Sequence, residues 1–180
     1  MHRAPDTFQT PRLVAERPGE EHFEAMCGLF NDPGVMEWIK LQNFSPEKTR
    51  RTMAAWQTHW EQHGFGIWVW RERDGERRVI GRGGLRLFVI DGRAEIELLY
   101  AYRQEFWGRG LGTEAARGIV AQAFGPQLAL NEIAAWTLKT NRGSQRVLEK
   151  SGFVYERDIL HADRPHVFYR QIRPADLDKS

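Results

Sequence analysis

The sequence predicts a mixed α+β domain with one βαβ crossover at its centre, and three patterns along its 180 residues carry that reading. Two turn dipeptides, Asp74-Gly75 and Asp91-Gly92, separate the extended runs Phe65 to Arg73, Arg78 to Val89 and Ala94 to Tyr102, which gives an antiparallel meander. From Gly108 the apolar spacing turns helical, with Leu111, Ala115, Ile119 and Ala123 on one face, until Gly125-Pro126 ends the helix. A buried-type strand, Ile133 to Leu138, follows, so this helix joins two strands of one sheet.

The flanking elements follow from local signals. Arg12 to Glu16 reads as a first strand, and Pro18-Gly19-Glu20-Glu21 opens a helix to about Phe30 with acidic residues where the helix dipole favours them. Asn31-Asp32-Pro33 breaks that helix and caps a short second one through Trp38. Ser45-Pro46-Glu47-Lys48 starts a long helix ending near Gly64, with Ser as N-cap and Pro at the first helical position. After the crossover come a helix from Gly143 to Ser151, closed by Gly152, and a last strand pair, Phe153 to Leu160 with His166 to Ile172. The sum is a central twisted mixed sheet of about seven strands flanked by helices, a single domain over 1–180 with 1–10 as a flexible N-terminal segment.

Composition narrows the function. A formal net charge of +2, with both signs spread along the chain, gives no electrostatic case for nucleic acid or a membrane surface as partner. Cys27 is the only cysteine, which excludes an intrachain disulfide and a cysteine metal cluster. His59 and His63 stand at i, i+4 but lack the glutamate of a zinc-protease motif and a third ligand, so no metal site is expected. The polar N-terminus and the lack of a long apolar stretch suit a cytoplasmic protein.

The segment that carries chemistry is Phe106-Trp107-Gly108-Arg109-Gly110-Leu111-Gly112-Thr113-Glu114-Ala115, between a strand and a helix. Alternate glycines let backbone N–H groups converge without Cβ interference, and the helix adds the positive end of its dipole, as a pyrophosphate requires. The spacing fits neither the Walker loop nor the dinucleotide fingerprint. A tight strand-to-helix connection would use the same glycines.

Taken with Thr10-Pro11-Arg12-Leu13, Asn31-Asp32-Pro33-Gly34-Val35-Met36, Val79-Ile80-Gly81, Glu97-Leu98-Leu99-Tyr100, Asn141-Arg142-Gly143-Ser144 and Glu149-Lys150-Ser151-Gly152-Phe153, this loop makes the chain resemble the GNAT acetyltransferase superfamily. The likeness is to its branch similar to the ribosomal-protein acetyltransferases RimJ and RimL. It implies a GNAT-type fold with a bulge and splay between the fourth and fifth predicted strands, and acetyl-coenzyme A as cofactor. It also implies transfer of the acetyl group to an amine acceptor, a protein N-terminus or a small-molecule amine, by direct attack in a ternary complex.

The resemblance assigns residues as well. The amides of Gly108, Arg109, Gly110, Leu111, Gly112 and Thr113 would hold the pyrophosphate, and the pantetheine arm would lie near Tyr100, Ala101 and Tyr102. Trp107 takes the loop's first position, as it commonly does in this branch, and Arg109 is either a phosphate ligand or an exposed loop arginine. Glu97 is the candidate base with Glu95 its competitor, each also readable as a surface charge, and Leu99 or Tyr100 would offer an oxyanion N–H. Leu148 replaces the tyrosine many members use as acid, which leaves Ser144, otherwise a helix-start hydroxyl, as proton donor. Asn141 would cap its helix and bond the pantetheine arm.

His161 and His166 are implied near the acceptor, while Trp38, Phe44, Trp56 and Trp60 either roof its pocket or fill the core. A homodimer through the C-terminal strand fits this branch. Two rivals remain: a silent domain that senses an acyl-coenzyme A, and a nucleotide-binding module that uses the same glycines for ATP.

Overall fold

The computed structural model describes residues 3–39 and 44–175. The chain runs β1 (Thr7–Gln9), β2 (Leu13–Glu16), α1 (Phe23–Phe30), α2 (Pro33–Ile39), α3 (Pro46–His63), β3 (Ile67–Glu72), β4 (Val79–Ile90) and β5 (Arg93–Tyr102). It continues through α4 (Leu111–Phe124), β6 (Glu132–Leu138), α5 (Arg142–Lys150), β7 (Val154–His161) and β8 (Arg164–Ile172). The strands form one eight-stranded sheet in the order β1-β2-β3-β4-β5-β6-β8-β7. Every pairing is antiparallel except β5 with β6, the two strands that α4 connects.

Local chemistry sets the ends of these elements where the sequence indicated. Ser45 Oγ accepts the Lys48 N–H at 3.3 Å, and Gly64 ends α3 in the left-handed region at φ 73°. Asp91 and Gly92 both take positive φ, 50° and 76°, the geometry that lets a two-residue turn match the twist of β4 and β5. The β7–β8 turn does the same with Ala162 and Asp163 at φ 48° and 56°. No glycine marks that turn, so the sequence reading starts the last strand two residues late.

The eighth strand is β1, in the segment expected to be flexible. Phe8 stands edge-on to Trp68 and Trp70, with ring centroids 5.2 and 5.3 Å away, and the Ala4 amide donates to Gly64 O at 2.8 Å. Burial of an aromatic ring against two tryptophans holds these residues on the sheet edge.

One face of the sheet packs on α4, with Trp68, Trp70, Leu98, Ala115, Ile119 and Leu148 in a single buried cluster. The other face is covered by α1, α2 and α3 through Met26, Leu29, Phe30, Met53 and Val69. Buried indoles find acceptors: Trp60 Nε1 donates to Ile67 O at 2.9 Å and Trp70 Nε1 to Gly83 O at 3.1 Å. Trp60 and Phe44 are therefore core residues, Phe44 stacking on Phe30 at 4.4 Å, and only Trp38 of the four roof candidates lies on a cavity wall. Among the described residues, no helix is long and apolar enough to cross a membrane.

Ile119 sits fully buried where α4 meets the sheet. Ile119→Ala should cost about 2–5 kcal/mol and lower the melting temperature by on the order of 10 °C in a circular-dichroism scan; a melt unchanged within 2–3 °C or so would mean α4 is not held by this cluster.

Candidate active site

The site begins where β5 leaves β6. Their parallel pairing has a single rung, Glu97 with Ala134, whereas β5 pairs with β4 from Tyr102 to Arg93 and β6 with β8 from Glu132 to Leu138. Arg103 N–H donates to Ile80 O at 2.8 Å, and the register opposes Arg82 to Ala101 and Gly84 to Leu99. Alternation along an antiparallel ladder then turns the backbone groups of Leu99 and Ala101 toward β4 and those of Leu98, Tyr100 and Tyr102 toward β6. Leu98 takes part in the rung itself, and beyond it Tyr100 and Tyr102 face a slot. Ala101 departs from the expectation here: its backbone is engaged with β4, and it meets the slot through its side chain. Of the two oxyanion candidates, Leu99 N–H is likewise engaged and Tyr100 N–H faces the opening.

Tyr102 O accepts the Trp107 indole N–H at 2.7 Å, which fastens the loop to the end of β5. Gly108 and Gly110 take φ 74° and 77°, left-handed values that favour glycine. Gly110 is the N-cap of α4. Among the described residues, the amides of Gly108 to Thr113 donate to no protein acceptor. Arg12 explains how the loop is held: Nη1 donates to Arg109 O at 3.0 Å, while its backbone N–H and Nε donate to Glu114 at 2.7 and 2.6 Å. Thr10 Oγ1 also donates to Glu114, at 2.6 Å. Burial alone would raise the Glu114 pKa, but these hydrogen bonds bring it below the usual range. Six donors at a helix start thus point away from a pinned carbonyl, and they fit an anionic diphosphate. The Arg109 side chain turns to other partners: Nη2 donates to Glu72 at 3.2 Å and the guanidinium lies over Phe106.

Slot and loop open into one cavity of about 1230 Å³ whose wall includes Glu97, Tyr100, Tyr102, Gly110, Asn141 and Ser144. Glu97 is 4% exposed and accepts from Arg86 Nε at 2.5 Å. Burial raises its pKa, and the Arg86 and Arg82 guanidiniums pull against that rise without cancelling it. Glu95 is not on this wall: Arg170 grips it with two hydrogen bonds of 2.9 and 3.0 Å. Glu97, the candidate base, thus lines the cavity, and its competitor Glu95 does not.

On the opposite face, Asn141 Oδ1 accepts the Ser144 N–H at 3.0 Å and caps α5. Ser144 Oγ stands 2.8 Å from the Tyr100 hydroxyl, which is pushed well above its usual pKa by burial. Leu148 is core. The sequence reading missed this phenol because it sought one on α5, whereas Tyr100 supplies it from β5, stacked on Tyr102 with centroids 5.5 Å apart. Arg82, also on the cavity wall, was missed as well. His161 and His166 both line the cavity, with rings 5.4 Å apart. His59 is instead structural: Nδ1 bonds Phe65 O at 2.8 Å and Nε2 accepts the Leu87 N–H at 3.1 Å.

Residues 12–154 match the family model of the acetyltransferase (GNAT) domain. The chain is 30% identical over 149 residues to the protein YkkB of Bacillus subtilis (strain 168), covering 79% of this chain and 81% of YkkB. It is 29% identical over 166 residues to the FsC-acetyl coenzyme A-N(2)-transacetylase of Aspergillus fumigatus, covering 85% of this chain and 67% of that enzyme. Among solved structures, the ribosomal-protein-S5-alanine acetyltransferase from Vibrio fischeri aligns with a TM-score of 0.78 at 18% identity, covering 94% of this chain and 97% of that one. RimL, the ribosomal L7/L12 α-N-protein acetyltransferase solved with coenzyme A, aligns at 0.74 and 15%, covering 96% and 99%; at such identities the likeness is one of fold. With a family match over most of its length and a strand splay and open-amide loop at its centre, the chain belongs to the GNAT acetyltransferase family.

Proposed function

We propose that the protein transfers an acetyl group from acetyl-coenzyme A to a primary amine by direct attack in a ternary complex. The observation that carries the reading is the slot beyond the Glu97–Ala134 rung, with unpaired loop amides at its mouth, Glu97 on one face and the Tyr100–Ser144 pair on the other. The cofactor brings an acetyl group activated as a thioester. The amides of Gly108 to Thr113 hold its diphosphate, and the backbone edge of Tyr100 and Tyr102 offers hydrogen bonds to the amides of its pantetheine arm.

Glu97 receives the proton an attacking ammonium must lose, and its raised pKa makes it a better base than an ordinary carboxylate. Tyr100 N–H donates to the oxygen that gains negative charge. Ser144 Oγ, backed by the Tyr100 hydroxyl, supplies the proton for the departing sulfur. Cys27 lies on α1 outside the cavity, consistent with attack without an acyl-enzyme. The rival reading of a silent acyl-coenzyme A sensor rested on the tyrosine missing at Leu148. A hydroxyl from Tyr100 beside Ser144 removes that ground and favours turnover.

The same proposal includes a RimJ/RimL-like acceptor mode, a single domain over 1–180 and a cytoplasmic location. It also includes a homodimer; the C-terminal strand expected to pair is β8, which lies between β6 and β7, so the edge on offer is β7 with its exposed Val154, Tyr155 and Leu160.

Thiol release with a panel of amines tests the reading: acceptor-dependent turnover supports it, and tight coenzyme A binding without turnover on any amine contradicts it. Glu97→Gln should lower kcat/KM by about 10²–10⁴-fold while leaving the calorimetric affinity for coenzyme A within a few-fold. Because the raised pKa keeps Glu97 protonated to higher pH, wild-type kcat/KM should fall as pH drops through that value. The glutamine variant should lose that limb.

Gly110→Ala places a Cβ at φ 77°, a strain of roughly 1–2 kcal/mol. It should weaken coenzyme A binding on the order of tenfold by calorimetry, and unchanged affinity would show that the loop amides do not hold the diphosphate.

A further inference from the structure

The cavity wall is electrically lopsided. Glu97 is its one carboxylate among the described residues, against five arginines and a lysine. Of these cations, Arg82 and Arg86 are on β4. The register that opposes Arg82 to Ala101 and Arg86 to Glu97 puts both arginines on Glu97's face of the sheet, the face covered by α1 to α3, away from Tyr100 and α4. Arg82 is 8% exposed, and its Nε and Nη1 have no hydrogen-bond partner. Its guanidinium lies 5.8 Å from the Trp56 ring centroid.

Arg71 and Arg103 also bury a nitrogen without a hydrogen bond, yet each anchors its head elsewhere: Arg71 on Glu16 by two hydrogen bonds and Arg103 on Ala25 O. Glu97 supports the Arg82 charge from nearby but forms no hydrogen bond or ion pair with it, and its Oε2 accepts from Arg86 instead. Burial, and after it the charge of Arg86, lower the Arg82 pKa to about 10, so the guanidinium stays charged at neutral pH. A buried cation with unpaired donors is costly unless a ligand completes it, and a planar guanidinium matches a carboxylate best. Glu97 shares this face, so a molecule that brings its amine to Glu97 lies beside Arg82 as well.

We infer that the acceptor is an amine that also carries a carboxylate, with its amine at Glu97 and its carboxylate received by Arg82. This deepens the transferase reading and rests on it. Polyamines and amino-sugars fit poorly, since their extra cations would face Arg82 and Arg86. A free amino acid and a peptide amine beside an acidic side chain share the required chemistry.

The test is thiol-release kinetics on matched pairs, amino acids against their carboxamides, together with short peptides whose second residue is Asp or Asn. Wild type should prefer the carboxylate member by roughly 10²-fold in kcat/KM, and the pair that shows the preference identifies the source. In Arg82→Met the carboxylate-to-carboxamide ratio should collapse toward one, while coenzyme A affinity by calorimetry separates this from a general loss of the site. Arg82→Lys, which keeps the charge but not the planar fork, should retain part of the preference and serves if the methionine variant does not fold. Equal turnover of both members by wild type, or preference for polyamines, overturns the inference and leaves the transferase standing. Coenzyme A binding with no amine acetylated overturns both.

Discussion

The parting of Arg93–Tyr102 from Glu132–Leu138 after one shared rung is the constraint on which the rest of the molecule depends. Each strand is satisfied along its outer edge, β5 by β4 and β6 by β8, so the sheet stays intact around the gap. Inside it, the backbone groups of Tyr100 and Tyr102 lack a strand partner, a costly condition for buried amides unless water or a ligand meets them. An extended molecule with its own amide groups is the natural complement. Trp107, bonded to Tyr102 O, closes one end of the opening and delivers the chain into the glycine loop.

Because the slot passes through the sheet, its two sides differ in chemistry. Strand alternation sends Glu97 to the face of α1 to α3 with Arg82 and Arg86, and Tyr100 to the face of α4 and α5 with Ser144. A proton can be taken on one side and given on the other without the two groups neutralising each other. Arg12 extends this order to the loop, since its grip on Arg109 O and Glu114 ties β2 to the first turn of α4.

Features set by neighbouring residues were legible in the sequence. Ser45 and Asn141 cap helices as read, Asp91-Gly92 turns as read, and the glycines read as freeing the loop of Cβ groups include Gly108 and Gly110, both at positive φ. Features set by distant contacts were not. The strand Thr7–Gln9 exists because Phe8 meets two tryptophans some sixty residues away, and nothing within its three residues announces that. The Arg170–Glu95 contact joins residues 75 apart, and the Tyr100–Ser144 contact residues 44 apart. Arg82 carries no signal of its own in the sequence, and its burial beside Trp56 comes from the fold.

The central claim is that the loop amides and one backbone edge of β5 form a single binding surface. Backbone amide chemical shifts of the ¹⁵N-labelled protein, followed through a titration with coenzyme A, test it directly. The account predicts the largest changes at Gly108 to Thr113, with Tyr100 and Tyr102 shifting while Leu99 and Ala101, bonded to β4, move little. Saturable binding that leaves the loop amides in place, or that moves Leu99 and Ala101 in preference to Tyr100 and Tyr102, would contradict it.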